Sequence, residues 1–276
     1  MMRPAPANTS VRPPTVADLF YPGDPAALRS AVWSYLRQGA RGPTAPPKAL
    51  IVPHAGYIYC GPIAGAAYSL LNHIRGRIER VVLLGPSHRV YLRGMAVPEA
   101  RLFATPLGYV PIDEALKAEA LKSAHVLESD EPHAFEHCLE VQLPFLQVLL
   151  ERFTVLPLVL GVIAPEQVAS VLAQLWGGEE TLVLASSDLS HYHDYESARR
   201  IDADTSAAIV RREARLSSEQ ACGAGAINGL LEVARALELS VVEIARCNSG
   251  DTAGERSRVV GYGAFAVHEP GPSRAT

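Results

Sequence analysis

Short apolar runs alternate with longer amphipathic ones along most of this chain. "ALIV" at Ala49–Val52, "RVVLLG" from Arg80, "FTVLPLVLG" from Phe153, "TLVLASS" from Thr181, "SVVEIARC" from Ser240 and "VVGYGAFAV" from Val259 read as buried strands, rich in β-branched residues. Between them, "IAGAAYSLLNHI" from Ile63, "PEQVASVLAQLW" from Pro165 and two longer stretches, about Tyr195 to Glu213 and Ser217 to Leu237, repeat apolar positions at a helical period. The best-punctuated helix comes first. In "GDPAALRSAVWSYLRQG", Asp24 supplies an N-cap, Pro25 fits the first helical position, Leu28, Val32 and Leu36 share a face, and Gly39 stops the helix.

Strands alternating with helices in this way predict an α/β fold: a single domain with a central, mostly parallel sheet flanked by helices. There is no repeat of fixed period and no low-complexity linker after Pro47, so the domain is expected to span residues 20–270. The proline-rich residues 1–19 are expected to run extended, or partly disordered, over the surface.

Composition narrows the function classes. With 276 residues and 48% hydrophobic content, the chain can bury a substantial core. Lys and Arg total 25 against 29 Asp and Glu, and no basic run exceeds a pair, which argues against a nucleic-acid partner. No apolar stretch approaches the roughly 20 residues that span a bilayer, and the start "MMRPAPANTSVRPPTVADL" lacks the apolar segment of a secretory signal. No membrane association and a cytoplasmic location are therefore expected. Cys60, Cys138, Cys222 and Cys247 form no C-x-x-C pair, so a disulfide framework or zinc ribbon is not expected, and any cysteine ligand must work with distant histidines.

The chemistry-bearing residues gather at strand ends, where ligands collect in open α/β sheets. His54 follows "ALIV", His88 follows "RVVLLG", Asp188 and His191 follow "TLVLASS", and Cys247 and Asp251 close the run that starts at Ser240. One such residue is ordinary, whereas four strand ends of this kind point to a shared polar site. Two histidines plus a third N, S or O donor with open positions suit iron, copper or catalytic zinc, and a thiolate favours the softer ions. His133, Glu136 and His137 match H-x-x-E-H, an inverted zinc-protease motif, but Pro132 and Pro144 bracket too short a helix for it. His137 is instead expected to line the pocket. A serine nucleophile at Ser187 or Ser190 lacks the G-x-S-x-G elbow, and Asp194 is expected near the start of the following helix.

Taken in order, "RPPTVADLFYPGDPAAL", "VPHAGYIYCGPIAGAAY", "LLGPSH", "FATPLGYVPID", "EHCLEVQLPFLQ", "SSDLSHYHDYESARRID", "CGAGAI", "SGD" and "VVGYGAFAV" cover nearly the whole chain. Together they resemble the Memo family, also called AmmeMemoRadiSam system protein B. The resemblance implies an extradiol-dioxygenase (LigB)-like fold with a metal cleft at one end of the sheet. It implies His54 and His88 as metal ligands with Cys247 as the expected third, and His191 as acid/base beside Asp188. Ser249 and Asp251 stand as alternative oxygen donors to Cys247.

Class III dioxygenases carry a carboxylate as third ligand, so a thiolate would make this site softer and more reducible than theirs. The function these features imply is a metal-dependent redox protein, using iron or copper, whose small-molecule or peptide ligand is unknown. The competing expectation is a non-catalytic module that binds peptides, phosphopeptides among them, in the same cleft. The family name also implies a functional link to Ammecr-type and radical-SAM proteins.

Overall fold

The computed structural model describes residues 9–39 and 45–270. In chain order its elements are β1 (Val11–Arg12), α1 (Pro25–Gln38), β2 (Ala49–Val52), α2 (Tyr57–Ser69), β3 (Arg80–Pro86), β4 (Met95–Val97), β5 (Leu102–Thr105), β6 (Gly108–Pro111) and α3 (Glu114–Ala120). Then come β7 (Val126–Glu128), α4 (Glu131–Ala134), α5 (Leu143–Leu149), β8 (Thr154–Leu160), α6 (Pro165–Leu175), β9 (Thr181–Ser186) and β10 (His191–His193). The chain closes with α7 (Tyr195–Val210), α8 (Ala224–Ala236), β11 (Ser240–Asn248) and β12 (Val259–His268).

β2, β9, β3 and β8 lie side by side and parallel at the centre of the large sheet. Beyond β8 the sheet continues through antiparallel β4 to β7, and beyond β2 through antiparallel β12, which also pairs with β10 and β11. The central strands are parallel, as expected, and β4 and β7 pair in parallel again at the far edge, while antiparallel pairing in this sheet is limited to β4–β8 and the neighbours of β12. For β11 and β12 the reason is connection length, since residues 249–258 that join them are too few for the crossover parallel strands need.

Alternate side chains of the central strands serve opposite faces. Leu50, Val52, Val81 and Leu83 join Leu28, Val32, Leu71 and Phe145 under α1, α2 and α5. Ile51, Val82 and Leu84 join Val168, Leu172, Ile227 and Leu230 under α6 and α8. Burial on both faces is why these strands read as unbroken apolar runs. Gly65 lets α2 approach α1 closely, since a Cβ there would lie 2.4 Å from the Tyr35 carbonyl oxygen.

Asp24 caps α1 as expected, accepting from the Ala27 N–H at 2.8 Å. The expected helix from Ser217 begins only at Ala224, because residues 217–223 turn back on themselves: the Ser217 carbonyl accepts from the N–H groups of Gln220 and Ala221. β5 and β6 form a hairpin that β1 joins as a separate three-stranded sheet.

The expected boundary near residue 20 moves toward the N-terminus. Residues 1–8 lie outside the described residues, but Arg12 is buried in β1 and ion-paired with the fully buried Glu140. Its guanidinium also donates to the carbonyls of His133, at 3.1 Å, and Glu136, at 2.6 Å. Glu140 accepts further bonds from the Thr15 and Val16 N–H groups and the Tyr21 hydroxyl. A proline-rich composition concealed a buried clasp. No helix among the described residues is long and apolar enough to cross a membrane.

Candidate metal centre

Adjacent parallel strands end at one edge, and three of them deliver a polar residue at the same offset. His54, His88 and Asp188 each lie two residues past the ends of β2, β3 and β9. They meet in an open cleft of about 700 Å³, lined also by His137, His191, Tyr192, Ser218, Glu219 and Cys222.

The histidines are oriented from behind. His54 is buried, its Nδ1 3.0 Å from Ser186 Oγ and its backbone N–H donating to Asp188 Oδ1 at 2.7 Å. The Ser186 hydroxyl is itself held, donating to the Cys138 carbonyl at 2.7 Å. His88 places Nδ1 2.9 Å from Glu136 Oε1, and its backbone N–H donates to Oε2 at 2.8 Å. Engaging Nδ1 on each ring leaves Nε2 for the cleft, the arrangement by which metal-binding histidines are fixed in tautomer and direction.

Cys222 supplies the thiol. It sits in the turn before α8, with Sγ 3.1 Å from His54 Nε2. Ligand atoms of His54, His88 and Cys222 all lie within 4.8 Å of one another. The turn comes so close because Gly223 has no side chain: a Cβ there would stand 2.5 Å from the Ser186 carbonyl oxygen. The Gly223 N–H donates to Ser187 Oγ at 2.9 Å, locking the turn onto the end of β9.

Electrostatics favours neutral donors. Burial, and then the neighbouring His137 and His88, push the His54 imidazole well below its ordinary value, so it is neutral. Burial, and then Asp188, push the Cys222 thiol up to about 12, so only a cation could hold it as thiolate near neutral pH. Burial would raise Glu136, but hydrogen bonds from His137 and His88 outweigh it and keep that carboxyl well below its usual range. Burial raises Asp188, partly offset by the His54 N–H.

Among the expected residues, His54, His88, His137, Asp188 and His191 come together. His137 stacks on His88 with ring centroids 4.8 Å apart. Asp188 holds the His54 backbone rather than bonding to His191, and its Oδ2 is 4.0 Å from His54 Nε2. Cys247 does not join them. It faces Tyr262 across the β11–β12 ladder and lines a different hollow, so β12 stands between it and the cleft. Asp251 is on that far side too, bonded to the Tyr195 hydroxyl and the Asn248 N–H. The cysteine that stands beside His54 and His88 is therefore Cys222, not Cys247. Its signal in the sequence is the segment "CGAGAI", with the glycine that follows it.

Ser187 Oγ donates to the Asp188 carbonyl, so it is a turn hydroxyl rather than a nucleophile. His193 is in β10, and Asp194 caps α7 by accepting from the Ser197 N–H at 3.0 Å. Tyr192, at the cleft wall, takes a left-handed φ of 64°, uncommon for an aromatic residue.

The H-x-x-E-H run is not a helical motif, since α4 is only four residues long. His133 is buried, with Nε2 2.9 Å from the Ala96 carbonyl and no partner for Nδ1 among the described residues. Burial lowers its pKa from 6.5 to about 4. Its contribution to stability is fully present above the unfolded value and is lost as pH falls through that window. At about 1.4 kcal/mol per unit the loss is about 3 kcal/mol. Urea unfolding of wild type and His133→Asn at pH 7 and pH 4.5 checks this: the variant should lose less stability between the two pH values, and an unchanged difference would contradict it.

Comparison with known proteins agrees with the motifs. The model of the family described as "Memo-like protein" matches residues 12–266. A MEMO1 family protein of Ignicoccus hospitalis is 38% identical, with 94% of this chain and 99% of that protein covered. One from Sulfolobus acidocaldarius is 33% identical, covering 91% and 97% respectively. The crystal structure of the uncharacterized protein JW3007 from Escherichia coli K12 shares the fold at a TM-score of 0.53 and 15% identity, covering 79% of this chain and 98% of that one. With the family model spanning nearly the whole domain and relatives matching end to end, this chain belongs to the Memo family.

Proposed function

We propose that the cleft binds a single redox-active transition ion, iron or copper, through His54, His88 and Cys222, and that the protein is a metal-dependent redox protein. The observation that carries this reading is the pre-set donor trio, within 4.8 Å, two of whose members are fixed through Nδ1 by Ser186 and Glu136. Two imidazoles and a thiolate suit a soft or borderline ion, and three protein ligands leave coordination positions open. The bound ion would supply electron transfer to or from a substrate in the open cleft. Around it, Asp188 holds the His54 backbone in place, and His191 and His137 stand in the wall where a proton could be given or taken.

Oxygen uptake with ascorbate as reductant tests this role. Protein loaded anaerobically with iron(II) or copper(I) should consume oxygen faster than metal-free protein, and Cys222→Ser should fall to the metal-free rate. Equal rates for loaded and metal-free wild type would contradict it. That result would favour a ligand-binding role without turnover.

A further inference from the structure

A second hollow, of about 560 Å³, lies on the other side of β12 from the metal cleft. It is lined by Tyr195, Glu196, Arg199, Arg200, Asp202 and Ala203 of α7 and by residues of the β11 end, Cys247 among them. Its carboxylates already have partners. Glu196 lies 3.8 Å from Arg199, and Asp251 accepts from the Tyr195 hydroxyl and the Asn248 N–H. Asp202 is buried and accepts from the Ser190 N–H at 3.0 Å.

The cations are less fully used. Arg246 pairs with Glu243, but Arg200 donates only to Ser197 Oγ and forms no ion pair among the described residues. Arg256 likewise forms none, and its guanidinium lies 4.4 Å over the ring of Tyr195, which lines the hollow. One guanidinium without a carboxylate, that of Arg200, therefore lines a polar hollow much larger than an inorganic anion, and a second, that of Arg256, is stacked on its Tyr195 wall, with the carboxylates of Asp202 and Asp251 as acceptors beside them.

We propose that this hollow binds a small hydroxylated phosphate monoester, its phosphate held by Arg200 and Arg256 and its hydroxyl-bearing part set against Asp202 and Asp251. Guanidinium forks match phosphate oxygens in geometry and charge, which a lysine or an amide does less well. The site is distinct from the metal cleft yet touches it through one residue. The carboxylate of Asp202 that borders the hollow also holds the backbone of Ser190, which immediately precedes His191. An occupant would therefore rest against the anchor of the segment that carries His191.

Calorimetric titration of the full chain with glycerol 3-phosphate at low ionic strength, with glycerol as the neutral control, tests the proposal. Saturable binding of the phosphate ester, absent for glycerol, is expected. Arg200→Gln and Arg256→Gln should each weaken it about tenfold or more, the loss of a charge-assisted hydrogen bond. Arg77→Gln, at the exposed Arg77–Glu179 pair that borders another hollow, serves as the control for general surface charge and should leave binding unchanged. No binding by the folded wild type, or equal weakening by Arg77→Gln, would overturn the proposal.

Discussion

Replacing Arg12 by methionine should lower the unfolding free energy by about 3–5 kcal/mol, the usual effect of removing one partner from a buried ion pair. Glu140 is fully buried, and Arg12 is the cation against it. The same substitution also strips hydrogen bonds from the His133 and Glu136 carbonyls. The double variant Arg12→Met/Glu140→Gln separates these causes. Removing both charges should recover part of the loss, because a stranded carboxylate is worse than a neutral amide in the same place. Equilibrium urea unfolding measures both. A cost below about 1 kcal/mol for Arg12→Met would mean the clasp contributes no more than a surface pair.

The second large effect is expected at Glu136, which holds His88 and His137 from behind the cleft. Its Oε1 receives the His88 ring and the N–H groups of His137 and Cys138, and its Oε2 receives the His88 N–H. Both oxygens face donors, so the amide nitrogen of Glu136→Gln must point at one of them whichever way it is turned. His88 then loses its orientation, and metal affinity should fall about 10–100-fold, as when other outer partners of ligating histidines are removed. A competition titration against a chelator of known affinity reads this. Unchanged affinity would show that His88 is held by packing alone.

How far the sequence reached depended on whether a feature is local. His54, His88 and Asp188 were found because each follows a doubly buried strand whose apolar run marks its own end, and parallel neighbours must end together. The Asp24 and Asp194 caps are equally local. Cys247 was misplaced because the order of strands in a sheet is not local. It does close a strand, but β12 lies between that strand and the centre. Cys222 was missed for the complementary reason: it is at no strand end, and only the close approach of Gly223 to Ser186 brings its turn to the cleft. Glu136 could be seen as a carboxylate among histidines, but its role depends on His88, which is 48 residues away in sequence. The Arg12–Glu140 clasp joins positions 128 residues apart, and nothing in a proline-rich run announces it.

The central claim is that the metal is held by His54, His88 and Cys222. Elemental analysis of protein purified without a histidine tag, for wild type beside His54→Ala, His88→Ala, Cys222→Ser and Cys247→Ser, tests it most directly. The account predicts near-stoichiometric iron or copper in wild type and Cys247→Ser, and its loss from the two histidine variants and Cys222→Ser. Full metal content in Cys222→Ser, or a wild type that takes up neither ion when loaded anaerobically, would contradict it.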